Sequence, residues 1–178
     1  MSTRSEKIIA KAKNIKCIIS DVDGVMTNGD IIYDNNGLES KHFSVKDGQI
    51  IKYLKSSSIL IGVITGRDSQ VVKNRCRELE MDFHFHGIKD KNATLNSLLE
   101  EYHLELNQVA YIGDDLNDLP VLSKVGLSAT PADGHFKVKK EVDLVLNTQG
   151  GKGALRELSD IILDSQDLYD SIISKLLE

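Results

Sequence analysis

Asp21 and Asp23 stand two residues apart in Asp21-Val22-Asp23-Gly24-Val25-Met26-Thr27, directly behind the apolar run that ends at Ser20. Beyond the end of a strand the backbone can turn so that two carboxylates at this spacing face one point. Taken alone, such a pair also suits a polar turn capped by Asp. Three other groups, each following an apolar run, give it a second meaning. Ile64 leads into Thr65-Gly66-Arg67, Phe85 leads through His86-Gly87 to Lys91, and Ile112 leads into Gly113-Asp114-Asp115-Leu116-Asn117-Asp118. A hydroxyl, a cation and two sets of acids are what phosphoryl transfer through an aspartyl-phosphate needs. A carboxylate can attack phosphorus when a divalent ion offsets the repulsion between two anions. Mg²⁺ takes hard oxygen ligands, so one or two carboxylates beside the substrate phosphate suffice, and Asp21 and Asp114 are the expected side-chain ligands. Lys91 and Thr65 suit the remaining phosphoryl oxygens. Asp23 suits proton transfer, first to the leaving oxygen and then from water.

These groups work together only if one scaffold brings them to one place. Short apolar runs alternate with amphipathic stretches, which predicts an α/β fold with a central parallel sheet covered by helices. Strands are expected at 15–20, 59–64, 83–86, 109–112 and 144–146, and helices at 48–54, 69–79, 92–103 and 118–124. A last helical region runs from Ala154 toward the C-terminus. In such sheets ligands collect at the carboxyl ends of the strands, where all four groups fall. One segment departs from the alternation: Asp34-Asn35-Asn36-Gly37 between two β-prone runs predicts a hairpin over 30–45.

Composition removes several classes. The 178 residues carry 22 Lys+Arg against 27 Asp+Glu, a net charge of −5, with no dense basic stripe for a nucleic acid. With 40% apolar and 28% charged residues the chain is expected to fold as one domain over 1–178. No apolar stretch approaches the ~20 residues that span a bilayer, and no signal-peptide pattern is seen, so a cytoplasmic protein without membrane partners is expected. Cys17 and Cys76 lack metal or redox spacing and read as buried thiols. His42, His84, His86, His103 and His135 show no ligand spacing with the acids, and His84 and His86, alternating along one strand, read as structural.

Asp21-Val-Asp-Gly, Thr65-Gly-Arg, Lys91 and Gly113-Asp-Asp-Leu-Asn-Asp resemble the four motifs of the haloacid dehalogenase (HAD) superfamily, in its phosphatase branch. The likeness extends over Asn35 to Gly37, Phe43 to Gly48, Asp82 to Lys91 and Gly150 to Glu157, nearly the whole chain. Within the superfamily it is similar to capless phosphatases of 3-deoxy-2-ulosonic acid phosphates. That resemblance implies a HAD-like Rossmannoid three-layer fold without a cap domain. It implies Asp21 as nucleophile and Asp23 as acid/base that also offers Mg²⁺ a backbone carbonyl, with Asp114 as the second carboxylate ligand. It further implies that Asp23, Ser44, Val45, Lys46, Asp47, Gly48, Lys52, Arg67, Arg75 and Lys91 surround a small phosphorylated sugar acid used in lipopolysaccharide precursor synthesis. Lys46, Lys52 and Lys152 stand where relatives commonly carry arginine, and lysine lacks arginine's fork for a carboxylate. Eight-carbon and nine-carbon substrates remain open, the eight-carbon one being preferred. A phospho-accepting signalling domain is a rival from another class, but it gains nothing from a base at Asp23.

The intervals between motifs are filled by the hairpin, helices and strands, leaving no room for a cap. The hairpin's Ile31, Ile32, Tyr33 and Phe43 have no obvious place in a single compact domain. Pairing of hairpins into a shared barrel is therefore expected, closing each site with a neighbour. The resemblance implies a homotetramer, with 167–178 adding to the lid.

Overall fold

A computed structural model describes residues 3–178. In chain order the main elements are α1 (Arg4–Ala12), β1 (Cys17–Ser20), β2 (Ile32–Tyr33), β3 (Glu39–Ser40), α2 (Val45–Ser56), β4 (Leu60–Ile64), α3 (Gln70–Glu78) and β5 (Phe83–Phe85). There follow α4 (Lys91–Glu101), β6 (Val109–Ile112), α5 (Leu119–Leu122), β7 (Leu127–Thr130), α6 (Val138–Glu141), β8 (Leu144–Val145), α7 (Ala154–Ser165) and α8 (Tyr169–Leu177). Six strands form one parallel sheet in the order β5-β4-β1-β6-β7-β8. β1 lies at its centre, with Ser20 beside Val63 on one flank and Ile112 on the other.

Every residue of β1 and β6 is buried, as continuous apolar runs in a covered parallel sheet must be. Side-chain alternation divides the core into two layers. Ile18 and Ala110 join the layer that includes residues of α1, α2 and α7, while Ile19 and Tyr111 join the one that includes residues of α4 and α5. Helix starts follow local chemistry. Ser44, Ser69 and Asp90 cap α2, α3 and α4 through side-chain oxygens that accept N–H bonds from Lys46, Val72 and Ala93.

The expected strands and helices are present, with ends shifted by a few residues, and three elements are additional. β7 was not expected because Leu127-Ser128-Ala129-Thr130 has no β-branched run, yet all four residues are buried. Ser128 is tolerated there because its hydroxyl and N–H both bond Asp143 Oδ2 at 3.1 Å. Helices α1 and α6 are the others; α1 is held by a capping box, with Thr3 N–H on Glu6 Oε2 at 2.8 Å. The helix expected at 118–124 is a 3₁₀ turn, Leu116–Asp118, followed by the short α5 with Pro120 in its first turn. The C-terminal helical region breaks at Asp167, whose φ of +56° separates α7 from α8.

β2 and β3 form the hairpin, pairing Ile32 with Ser40 and Tyr33 with Glu39. Asp34 Oδ1 accepts the N–H groups of Asn36 at 2.9 Å and Leu38 at 2.8 Å, and Gly37 supplies the positive φ of +78° that closes the turn. Ile31, Ile32, Tyr33 and Leu38 are exposed. Cys17 and Cys76 are buried free thiols, pushed by that burial up to about 12 and about 11. Among the described residues no helix is long and apolar enough to cross a membrane.

Candidate active site

Asp21 is the first residue past β1, pinned against the neighbouring strand by its N–H bond to Ile112 O at 2.9 Å. Its Oδ1 accepts the Val22 N–H at 2.7 Å, and its Oδ2 lies 3.1 Å from Lys91 Nζ. Lys91 opens α4, and Asp90 as N-cap sets its direction. Its buried ammonium has three oxygen neighbours: Asp21 Oδ2, Asp118 Oδ1 at 2.7 Å and Tyr111 Oη at 3.2 Å. Asp118 is fully buried, and both its oxygens are occupied. Oδ1 takes Lys91 and the Tyr111 hydroxyl at 2.7 Å, while Oδ2 takes the N–H groups of Asp114 at 3.1 Å and Asp115 at 3.3 Å. It therefore holds both the lysine and the loop that carries Asp114.

One oxygen each of Asp21, Asp114 and Asp118 lies within 4.8 Å of the others. Asp114 can come this close because residue 24 has no side chain: a Cβ on Gly24, whose φ is +87°, would sit 2.1 Å from Asp114 Oδ2. Burial drives the Asp114 carboxyl up to about 7, and the charges of Asp21, Asp118 and Asp115 add to it. Asp21 is raised by burial and then by Asp118, with Lys91 and the Val22 N–H opposing. Desolvation alone would lower the Lys91 pKa, but Asp21 and Asp118 outweigh it and raise it. One lysine is insufficient for three carboxylates. The donor set is all hard oxygen and fits Mg²⁺, with Asp21 and Asp114 as carboxylate ligands.

The hairpin also reaches the site. Lys41, whose side chain is wholly buried, bonds Asp23 Oδ1 and lies 3.4 Å from Glu39 Oε1. Glu39 accepts Arg67 Nη2 at 3.0 Å and the Ser69 hydroxyl, and its pKa is lowered first by Ser69 and then by Lys41 and Arg67. Arg67 Nε stands 3.6 Å from Asp23 Oδ2. Thr65, one residue past β4, is buried, with its backbone bonded to Phe85 and Ile88. On the other side, the glycine-rich loop is laid flat on the Asp23 loop. The Gly151 N–H bonds Val25 O at 2.8 Å, and a Cβ on Gly150 would lie 2.0 Å from Gly24 O.

The structure thus gathers Asp21, Lys91 and Asp114, and sets Asp23 and Arg67 in one charged network. The contacts of the other expected substrate residues lie elsewhere. Ser44 caps α2, Val45 is exposed, and Lys46 lines a cavity of about 670 Å³ with Lys152 and Arg156 at the start of α7. Asp47 is buried and accepts the Arg156 N–H at 2.8 Å; burial pushes its carboxyl up to about 6. Gly48 makes room for Arg75, which pairs with Glu78 at 2.9 Å and lies over the Phe43 ring, and Lys52 lies over the Tyr53 ring. His84 Nδ1 and His86 Nε2 partner one another at 2.8 Å. Sequence reasoning named Asp118 only as part of a motif and did not name Lys41, Glu39 or Tyr111. Asp118 had a signal in its place at the end of an acidic strand-end loop; Lys41 and Glu39 had none.

A profile of haloacid dehalogenase-like hydrolases matches residues 85–158. The 3-deoxy-D-manno-octulosonate 8-phosphate phosphatase KdsC of Escherichia coli strain K12 is 42% identical over 166 residues, covering 93% of this chain and 88% of that protein. A crystal structure of 3-deoxy-D-manno-octulosonate 8-phosphate phosphatase from Yersinia pestis superposes with a TM-score of 0.91 at 41% identity, covering 93% of this chain and 89% of that one. The Moraxella catarrhalis enzyme of the same name, solved with magnesium, phosphate and KDO, gives a TM-score of 0.92 at 38% identity, covering 96% and 98%.

Proposed function

This chain belongs to the haloacid dehalogenase-like hydrolases, and on that premise we propose that it is a Mg²⁺-dependent phosphatase of 3-deoxy-D-manno-octulosonate 8-phosphate (KDO 8-phosphate). Its products are KDO and inorganic phosphate, a step toward a lipopolysaccharide precursor. The observation that carries the reading is Asp21 at the end of the central strand, one oxygen held by a backbone N–H and the other beside the buried Lys91. A carboxylate so fixed has its attack direction set before substrate arrives.

The residues divide the work as follows. Asp21 attacks phosphorus, and the sugar oxygen leaves with a proton from Asp23. Asp23 then takes a proton from the water that hydrolyses the aspartyl-phosphate. Lys91 and Thr65 hold phosphoryl oxygens while negative charge spreads over them. Asp21, Asp114 and the Asp23 backbone carbonyl would hold Mg²⁺, which offsets the repulsion between nucleophile and phosphate. Asp118 keeps Lys91 and the Asp114 loop in place.

Of the residues assigned to the sugar acid, Arg67 lies against Asp23 and suits its carboxylate. Ser44, Val45, Lys46, Asp47, Gly48, Lys52 and Arg75 are assigned to substrate across a subunit boundary. Support for such a boundary comes from the exposed Ile31, Ile32, Tyr33 and Leu38 on the hairpin of a site with no cap. Paired hairpins in a homotetramer would cover that apolar surface and close each site against bulk water. A single domain over 1–178 acting in the cytoplasm completes the proposal.

Purified protein with Mg²⁺ tests the reading against KDO 8-phosphate, a nine-carbon ulosonic acid 9-phosphate and a neutral sugar phosphate. Fastest phosphate release is expected from KDO 8-phosphate, and Asp21→Asn should cut it by about 10⁴-fold or more. Absence of phosphate release, or a fully active Asp21→Asn enzyme, would overturn the proposal. The eight-carbon substrate is set ahead of the nine-carbon one because the relatives compared above bear the eight-carbon name.

A further inference from the structure

We propose that Lys41 is a positioning residue for proton transfer: by engaging Asp23 Oδ1 it fixes the orientation of the carboxyl that exchanges a proton with substrate and water. The inference rests on the phosphatase reading above. A carboxylate has two equivalent oxygens until its surroundings distinguish them, and here they do. Oδ1 accepts from the Lys41 ammonium and lies 3.3 Å from the Thr27 hydroxyl. Oδ2 is buried and has no hydrogen-bond partner among the described residues, with Arg67 Nε 3.6 Å away and equally unbonded.

Lys41 comes from the hairpin, not from the sheet that supplies the motif acids, and its side chain is fully buried. Removing an ammonium from water is costly unless it is paired, and its partners are Asp23 and Glu39. Glu39 in turn grips Arg67 and Ser69. Asp23, Lys41, Glu39 and Arg67 therefore close a ring of alternating charge in which the hairpin supplies the two middle members. Lys41 thereby fixes one orientation of the Asp23 carboxyl, against Glu39 and Arg67.

The steps follow from that placement. An Asp21 oxygen forms its bond to phosphorus as the phosphorus–oxygen bond to the sugar breaks. The bonding pair moves to the sugar oxygen, which takes the proton from Asp23. Water then attacks phosphorus and gives its proton to Asp23, while the bond between phosphorus and Asp21 breaks and returns the carboxylate. Lys41 touches neither substrate nor water in this scheme.

Lys41→Met tests it when kcat/KM is compared on three probes with Mg²⁺: KDO 8-phosphate, glucose 6-phosphate and p-nitrophenyl phosphate. The first two expel a basic alkoxide that needs a proton; the third expels a phenolate that does not. A loss of about 10²-fold on both alkyl phosphates, with less than about 3-fold on the aryl phosphate, is expected for misdirected general-acid catalysis. Equal losses on all three would mean that Lys41 only supports the fold, and a loss confined to KDO 8-phosphate would make it a carboxylate contact; either overturns the proposal. Lys41→Arg keeps a charged donor and should hold alkyl-phosphate activity within about 10-fold of wild type. If Lys41→Met does not fold, a folded Lys41→Arg enzyme that loses all three activities equally also overturns it. A wild-type protein inactive on every probe would instead remove the phosphatase reading on which this rests.

Discussion

Four aspartates near one strand end do different work because their oxygens have different partners. Asp21 keeps one oxygen toward Lys91, Asp114 is squeezed among other acids, Asp23 faces the hairpin, and Asp118 has no free oxygen at all. Replacing Asp118 by Ala would leave the Tyr111 hydroxyl buried without its acceptor and remove a carboxylate from Lys91. A stability loss of about 3–5 kcal/mol is expected, read as a lower urea midpoint, together with a collapse of kcat. An Asp118→Ala protein of wild-type stability would show that this acid holds nothing. The motif acids were legible because their types and spacing already define a chemistry. Lys41 was not: a lysine on a hairpin strand reads as a solvated edge charge, and only the folding of that strand onto Asp23 buries it.

Elements show the same division between what local pattern decides and what tertiary contact decides. β1, β4 and β6 are apolar but for Ser20 at the end of β1, and local pattern is enough to predict them. β7 was missed because half its residues are polar; it exists through a parallel neighbour on each side and an Asp143 partner for Ser128, neither visible in a local window. The hairpin turn was legible from Asn36-Gly37, whereas its inward polar face was not. Changing Ile31 and Ile32 to Glu should therefore separate two roles of one element, Tyr33 being kept because its hydroxyl accepts from Arg67 Nη2 at 3.3 Å. On the assembly proposed above, light scattering should show the mass falling from tetramer to monomer in this variant, with activity reduced by the opened site. A wild-type protein that is a stable, fully active monomer would end the assembly proposal. Asp47 offers a second test. It accepts an N–H of the first turn of α7, so Asp47→Ala should cost about 1–2 kcal/mol in thermal unfolding.

At the scale of the whole molecule, crowded acids make stability depend on pH in a direction opposite to most carboxylate pairs. Asp21, Asp47 and Asp114 are all raised in the folded state relative to the unfolded chain. The folded protein then binds more protons than the unfolded one between about pH 4 and pH 7. Metal-free protein should lose stability, of order a few kcal/mol, as pH rises through that window. Mg²⁺ should restore most of it at pH 7.5, and calorimetry with and without EDTA measures both effects. A melting temperature that rises from pH 5 to 7 without metal would contradict the charge assignment. The flat packing of Gly150 and Gly151 on Gly24 and Val25 carries this coupling outward. With no side chains to act as spacers, the loop bearing Asp23 and the start of α7 must open together. Amide hydrogen exchange should therefore slow on Mg²⁺ binding at Gly151 and in the first turn of α7, in a helix that supplies none of the ion's ligands.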